Sequence, residues 1–529
     1  MCKYLILLNF RRSHNPKVGG FNSSTCPILF NFSFLYNYIK DSFGETMRNT
    51  TALIFSLFFL PAINLLDGAI PDKKGHLDSG LNNNQNLSRD AQIYTSNAYF
   101  SGNEWYSMVL NDGQWSSYQP LGGAGGIWPR GSHNSVLFNS GLWIGFRDDD
   151  GSSRMAGVEY GSDFRPGPYG NTDSESNDDY RVFKVNRWDD ATNTDWAAWP
   201  VDLGAPWEDN DGDGTYNPAV DNPYLPLDQT LFTVYSDSGE HDQFGGNPIG
   251  AEIRQTIFGG VSSNHDNLAR TFYVKYEIIN RGTSNWNDPR FAVWSDPDLG
   301  NPQDDLFGVD VDSNLVYVYN SNEQDDVFPI PPAVGFKYIS GLNSLDDDLY
   351  AAGAIFGGED NHDDPENEDE AYNRMLGLQN DGNSITDPNT GQDTTFMMYG
   401  DPVSGTGWID DKVGDKRFFM SVSANLSSGE TTAVVAPGDT VGFVIAVIIA
   451  QGTDRLNSIT KLRDASYEAK TLWDNNFSDV SLVDRPLLEY VEDHGDLHGI
   501  FYDSFGPGES DYTTKTIYNA GNSSLNISF

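Results

Sequence analysis

Along the chain, apolar residues recur with a period of two far more often than with a helical period. Within residues 271–279, Phe272, Val274, Tyr276 and Ile278 fall on one face, and Tyr273, Lys275 and Glu277 on the other. Successive strand side chains point to opposite faces, so this run predicts a half-buried antiparallel strand, with Asn280-Arg281-Gly282 as the turn behind it. Runs rich in aromatic and β-branched residues, bounded by turn formers, predict further strands at 136–146, 180–185, 230–235, 253–259, 315–319 and 417–422. Residues 441–450 are the most apolar stretch and follow the turn Ala436-Pro437-Gly438-Asp439. The run is too short to cross a bilayer as a helix, which needs roughly 20 apolar residues. It reads as a central strand buried on both faces.

Helical spacing is clear in one place. Leu456, Ile459, Leu462, Ala465, Ala469 and Leu472 form one stripe, Thr453 or Asp454 can cap its first turn, and Asn475-Asn476 ends it. The stripe predicts a helix packed on the β-core. The expected fold is all-β: a large antiparallel β-sandwich-type domain over residues 70–483 with one C-terminal packing helix. From residue 484 the composition changes. Residues 512–529 read as strand, Asn-Ala-Gly turn, strand, the opening of a truncated immunoglobulin-like module over 484–529.

Composition supports this reading. The 53 Gly and 26 Pro suit many short strands joined by turns, and 12 Trp, 26 Tyr and 31 Phe can fill a large core. Charge narrows the partners: 32 Lys and Arg stand against 76 Asp and Glu, a formal net charge of −44 over 529 residues. Such a chain is no nucleic-acid binder by electrostatics and is repelled by anionic lipid. Among the acids, 58 Asp outnumber 18 Glu, a bias toward turns, caps and calcium loops.

Residues 47–69 (MRNTTALIFSLFFLPAINLLDGA) have the form of a secretory signal, with Arg48 ahead of an apolar core at 52–60. Cleavage is expected near Ala69, although Asp67 departs from the small-residue rule at the −3 position. Residues 1–46 then read as an upstream extension before a start at Met47, and they hold both cysteines, Cys2 and Cys26. The mature chain from residue 70 is cysteine-free, with 26 basic against 73 acidic side chains. An exported chain without disulfides draws its stability from size and from bound cations, of which calcium is the simplest.

The clearest chemical motif lies at residues 209–221. Asp209, Asp211 and Asp213 occupy positions 1, 3 and 5 of a D-x-D-x-D-G calcium loop, Gly214 permits the sharp turn, and the Thr215 carbonyl is the next ligand. The twelfth position is Val220 and the nearest acid, Asp221, comes one residue late. Pro218 and Pro223 oppose a flanking helix, so the loop resembles isolated calcium loops of extracellular modules rather than a sensor EF-hand. The alternative is an acidic surface turn without an ion.

A second acidic cluster comprises Asp296, Asp298, Asp304, Asp305, Asp310 and Asp312. Paired carboxylates beside Trp294 suit glycoside hydrolysis, calcium chelation or turn capping, the last two being favoured. The run EDNHDDPENEDE at 359–370 reads as a solvated loop. HExxH, GxSxG and phosphate-cradling loops are absent. The histidines form no ligand pattern, and His133, in the Gly- and Trp-rich stretch, reads as an ordinary loop residue. Trp188, Trp196, Trp199 and Trp207 cluster just before the calcium loop, where exposed rings would suit a sugar and buried rings a core.

Several phrases resemble a family of large, exported, uncharacterised proteins of Bacteroidetes-type bacteria: FNSGLWIGF at 138–146, GAPWEDNDGDGTYNP at 204–218, WSDPDLG at 294–300, GDPVSGTGWID at 400–410 and APGDTVGFVIAVIIAQGTDRLNSITKL at 436–462. The resemblance spans roughly residues 90–476. It implies an extracellular or outer-surface location and association with type IX secretion, and it brings no activity. The expectation is an exported, calcium-stabilised, non-catalytic binding or structural protein, with an extracellular polysaccharide or surface polymer as partner. Its alternatives are a polysaccharide-active hydrolase using Asp296 and Asp298, and an adhesin or surface-layer component.

Overall fold

The computed structural model describes residues 96–491 and 516–519, apart from 119–122, 133, 172–176, 359–360, 426–431 and 486–487. The signal-like segment, His133 and most of the immunoglobulin-like stretch lie outside the described residues. Of the last, Leu488–Val491 pairs antiparallel with Thr516–Asn519.

Two nine-stranded antiparallel sheets dominate. The main path of the first runs Asn97–Phe100, Tyr106–Leu110, Gly126–Ile127, Ser135–Arg147, Trp286–Pro297, Arg417–Ser423, Ala351–Ile355. That of the second runs Asp305–Asp310, Leu315–Asn320, Ala333–Leu342, Thr440–Ala450, Thr271–Asn280, Ala251–Gly259, Gln229–Ser236, Arg165–Pro166. One apolar core joins residues of both sheets, as expected of a sandwich. Phe336 of the second sheet meets Phe418 of the first edge-on at 4.9 Å.

The period-two pattern explains which face each residue takes. Phe272, Val274, Tyr276 and Ile278 enter the inter-sheet core, while Lys275 and Glu277 stay half-exposed. Thr440–Ala450 is buried on both faces: Val441, Phe443, Ile445, Val447 and Ile449 point between the sheets, and Val444, Ala446, Ile448 and Ala450 point outward. Covering that outward face is the helix Arg455–Asp474, through Ile459, Leu462, Ala465, Ala469 and Leu472. Asp454 caps it by accepting the Asn457 N–H at 2.8 Å. Gly335 lets the helix approach, since a Cβ there would lie 2.8 Å from Leu462. Among the described residues no helix is long and apolar enough to cross a membrane.

Two expectations change. The strand expected at 180–185 begins only at Phe183, because Asp178–Tyr180 forms a 3-10 turn capped by Asn177. The acidic run expected to be a solvated loop ends in a helix, Glu368–Met375, whose Ala371, Tyr372 and Met375 pack with Trp143, Trp294 and Phe419 on the outer face of the first sheet. Its acids fall in the first turn, where the helix dipole favours them.

Candidate functional site

The loop at residues 209–221 stands on a two-residue ladder, with Trp207 opposite Pro223 and Glu208 opposite Asn222. Below the ladder the tryptophans resolve into a small core. Trp196 and Trp199 are buried with Phe183, Val185 and Phe232. Tyr216 lies edge-on to Trp207 at 5.6 Å and donates its hydroxyl to the Trp196 carbonyl at 2.7 Å. Trp196 donates its indole N–H to the Pro218 carbonyl at 3.3 Å. Trp188 is half-buried with the Arg187 guanidinium 4.6 Å over its ring. Among the described residues no tryptophan is fully exposed, so the cluster anchors the loop rather than forming a flat sugar platform.

Within the loop, Asp209 accepts the N–H groups of Gly212 at 2.7 Å and Gly214 at 2.9 Å. Both glycines take φ of +75°, a conformation that disfavours a side chain. Asp221, only 1% exposed, accepts the N–H groups of Asn210 at 2.9 Å and Asn217 at 2.7 Å. One oxygen from each of Asp209, Asp211 and Asp221 lies within 4.8 Å of the other two. Asp213 and Thr215 are exposed on the outer turn, where Asp213 accepts the Thr215 N–H at 2.7 Å, and Asp213 is not part of that group. Desolvation, and then the charges of Asp213, Asp221 and Asp209, push the Asp211 carboxyl above its ordinary value. Converging carboxylate oxygens are the donor type that a hard cation takes.

A second group forms at the end of Trp286–Pro297. One oxygen from each of Asp296, Asp298 and Asp415 lies within 4.8 Å of the other two. Asp296 is fully buried and accepts the Tyr160 hydroxyl at 3.2 Å, and Tyr160 lies edge-on to Trp294 at 5.4 Å. Asp305 stands beside this group, fully buried. Burial first, and then the charge of Asp298, drive its carboxyl well above the carboxylate range. Arg417 is the neighbouring guanidinium, 2.9 Å from Asp364 and 3.7 Å from Asp363. Asp310 has a simpler role, capping Val311–Ser313. Sequence reasoning picked out Asp296 and Asp298 but missed Asp415, Tyr160 and Arg417, which only strand pairing brings near.

Among the described residues no histidine belongs to a group that could hold a metal ion. His241 is buried 3.4 Å from Asp237, and His265 pairs with Glu468 at 2.7 Å. His76, His133, His494 and His498 lie outside the described residues.

No known family model matches the chain, and no curated protein matches it. Solved structures give weak likenesses. The GH36 alpha-galactosidase AgaA from Geobacillus stearothermophilus is 9% identical over 67% of this chain and 41% of that one, with a TM-score of 0.25. Heparan sulfate lyase HepC from Pedobacter heparinus is 9% identical over 81% of this chain and 41% of that one, with a TM-score of 0.23. A copper-containing benzylamine oxidase from Hansenula polymorpha is 8% identical over 74% and 66%, again with a TM-score of 0.23. Likenesses of this size assign no activity. The chain spans 41% of the length of the galactosidase and of the lyase.

Proposed function

We propose that this is an exported, extracellular or cell-surface protein, stabilised by calcium in the 209–221 loop, with a non-catalytic binding or structural role. The observation that carries the reading is the laddered loop in which carboxylate oxygens of Asp209, Asp211 and Asp221 converge. Asp213 and the Thr215 carbonyl are the further ligands that the spacing suggests. Calcium there neutralises part of a net charge of −44 and fixes the turn without a disulfide. The segment at 47–69 directs export, and an extracellular polysaccharide or surface polymer is the partner class in keeping with that location.

The hydrolase alternative is disfavoured by burial. Asp296 is 0% and Asp298 9% exposed. A glycosidase pair must flank a sugar in an accessible cleft. The test is incubation with a panel of plant and bacterial polysaccharides, scored for new reducing ends and for co-sedimentation with insoluble polymer. Retention without product is expected. Release of reducing ends that Asp298→Asn abolishes would overturn the non-catalytic assignment.

A further inference from the structure

Residues 237–250 connect Gln229–Ser236 to its antiparallel neighbour Ala251–Gly259 in the second sheet. Strands paired in this way usually need only about two to five connecting residues, and much longer connections are commonly functional. Among the described residues, none from 238 to 248 takes part in a hydrogen bond between main-chain groups. Side chains hold this loop to the first sheet instead. Phe244 lies edge-on to Trp143 at 5.3 Å. The Gln243 N–H donates to Asp163 at 2.8 Å, and its side-chain amide donates to Glu159 at 2.6 Å. Arg165, Asn171, Ser238 and Asn247 line a cavity of about 740 Å3 beside the loop.

His241 sits at the centre of these attachments with its side chain fully buried. Its Nε2 lies 3.4 Å from Oδ2 of Asp237, whose side chain is also fully buried, and its Nδ1 has no hydrogen-bond partner. Asp237 is fixed in turn by the N–H groups of Ile249 and of Ala251, the latter at 2.7 Å. Other charged groups reach the loop from each neighbouring element. Asp163, fully buried, follows Ser153–Gly157 and also accepts the Gly157 N–H at 3.0 Å. Glu368, in the first turn of Glu368–Met375, packs on Gly246, where an added Cβ would meet its carboxylate, and lies 3.6 Å from Arg154. Arg165 packs on Gly239 in the same way, and Glu240 and Asp242 of the loop itself are exposed. Burial opposes the imidazolium, but Asp237 and Asp163 outweigh it and hold His241 above its ordinary value of 6.5. Burial pushes Asp163 up from 3.8 to about 6, although the His241 charge pulls it down.

We propose that residues 237–250 form a pH-sensitive latch, in which protonated His241, paired with the buried Asp237 carboxylate, fastens the loop to the first sheet, and loss of that proton loosens it. With neutral His241 the loop would close over the carboxylates of Asp237 and Asp163 without a cation between them, which burial makes costly. The direction is fixed by linkage. A histidine raised in the folded state stabilises the closed loop fully below 6.5, and the contribution is lost as pH rises through the folded value. Asp163 acts in the same sense at lower pH, its contribution falling between 3.8 and about 6, so the change above that range reports His241. Because Ser238 and Asn247 belong to the loop, loosening it also reshapes the cavity.

Hydrogen exchange of the full chain followed by mass spectrometry, from about pH 6 to about pH 8, tests the latch. After correction for intrinsic exchange, protection of peptides from 238–248 is expected to fall several-fold as pH rises, while Thr271–Asn280 stays unchanged. His241→Gln carries no charge at any of these pH values, so its loop should exchange fast and without pH dependence. A second readout needs no substitution to report on the closed state: in protein labelled at histidine, the ring resonance missing from His241→Gln should titrate above 6.5 in the parent. Loop protection that is independent of pH, the same pH dependence in His241→Gln, or a His241 ring that titrates below 6.5 would overturn the proposal.

Discussion

Asp112 shows how burial alone sets a titration. It is 1% exposed, and its carboxylate accepts the Gln114 side-chain amide at 2.8 Å and the Gln114 backbone N–H at 3.2 Å. Burial raises its pKa from 3.8 to about 6, although the Gln114 donors pull the other way. The folded state therefore holds a proton that the unfolded chain has released between those values, and stability falls as pH rises through that window. The cost is absent below the lower value and complete above about 6. Asp112→Asn never ionises, so its stability relative to the parent should improve by on the order of 2–3 kcal/mol between pH 4 and pH 7. Urea unfolding at both pH values checks this, and a difference that stays constant with pH would contradict it. The residues of the 209–221 loop were legible because their spacing is local: three aspartates at alternate positions and the glycine that follows them suffice to suggest the turn. Asp415 was not, since nothing in its own neighbourhood connects it to Asp296 and Asp298 before the strands pair.

Elements were legible where one face stays apolar over several turns or pleats. Thr440–Ala450 and Arg455–Asp474 carry such patterns and pack on each other. Glu368–Met375 is short, opens with three acidic residues and buries only Ala371, Tyr372, Arg374 and Met375, so its sequence resembles a charged loop. Ladders of two residues, such as Trp207–Glu208 with Asn222–Pro223, exist only through their partner and leave no periodic trace. For the long helix, Asp454→Ala removes the acceptor for the Asn457 N–H and should cost roughly 0.5–2 kcal/mol. Leu462→Ala, at a fully buried position between helix and sheet, should cost about 2–5 kcal/mol. Chemical denaturation distinguishes them, and a Leu462→Ala cost below that of Asp454→Ala would contradict the helix's role as the outer cover of the second sheet.

For the whole molecule the governing quantity is charge. A net of −44 opposes compaction, and the described basic residues are largely engaged in local ion pairs such as Arg187 with Asp228 and Arg463 with Asp310. Screening should therefore substitute in part for bound cations. Raising sodium chloride from low to physiological strength is expected to lift the melting temperature more in chelator than in calcium, and an equal effect in both would contradict that coupling. The sandwich, its long covering helix and the apolar core follow from period and composition, and the 209–221 loop from local spacing, whereas the short acidic helix and the grouping of Asp296, Asp298 and Asp415 follow only from how the strands pair. The most direct test of calcium stabilisation is a thermal melt of the protein in calcium and in chelator, repeated on Asp211→Ala. At calcium a hundredfold above its dissociation constant, each bound ion adds about 2.7 kcal/mol. The account predicts a rise of several degrees in calcium that is clearly smaller in Asp211→Ala, and superimposable melts of the parent protein with and without calcium would contradict it.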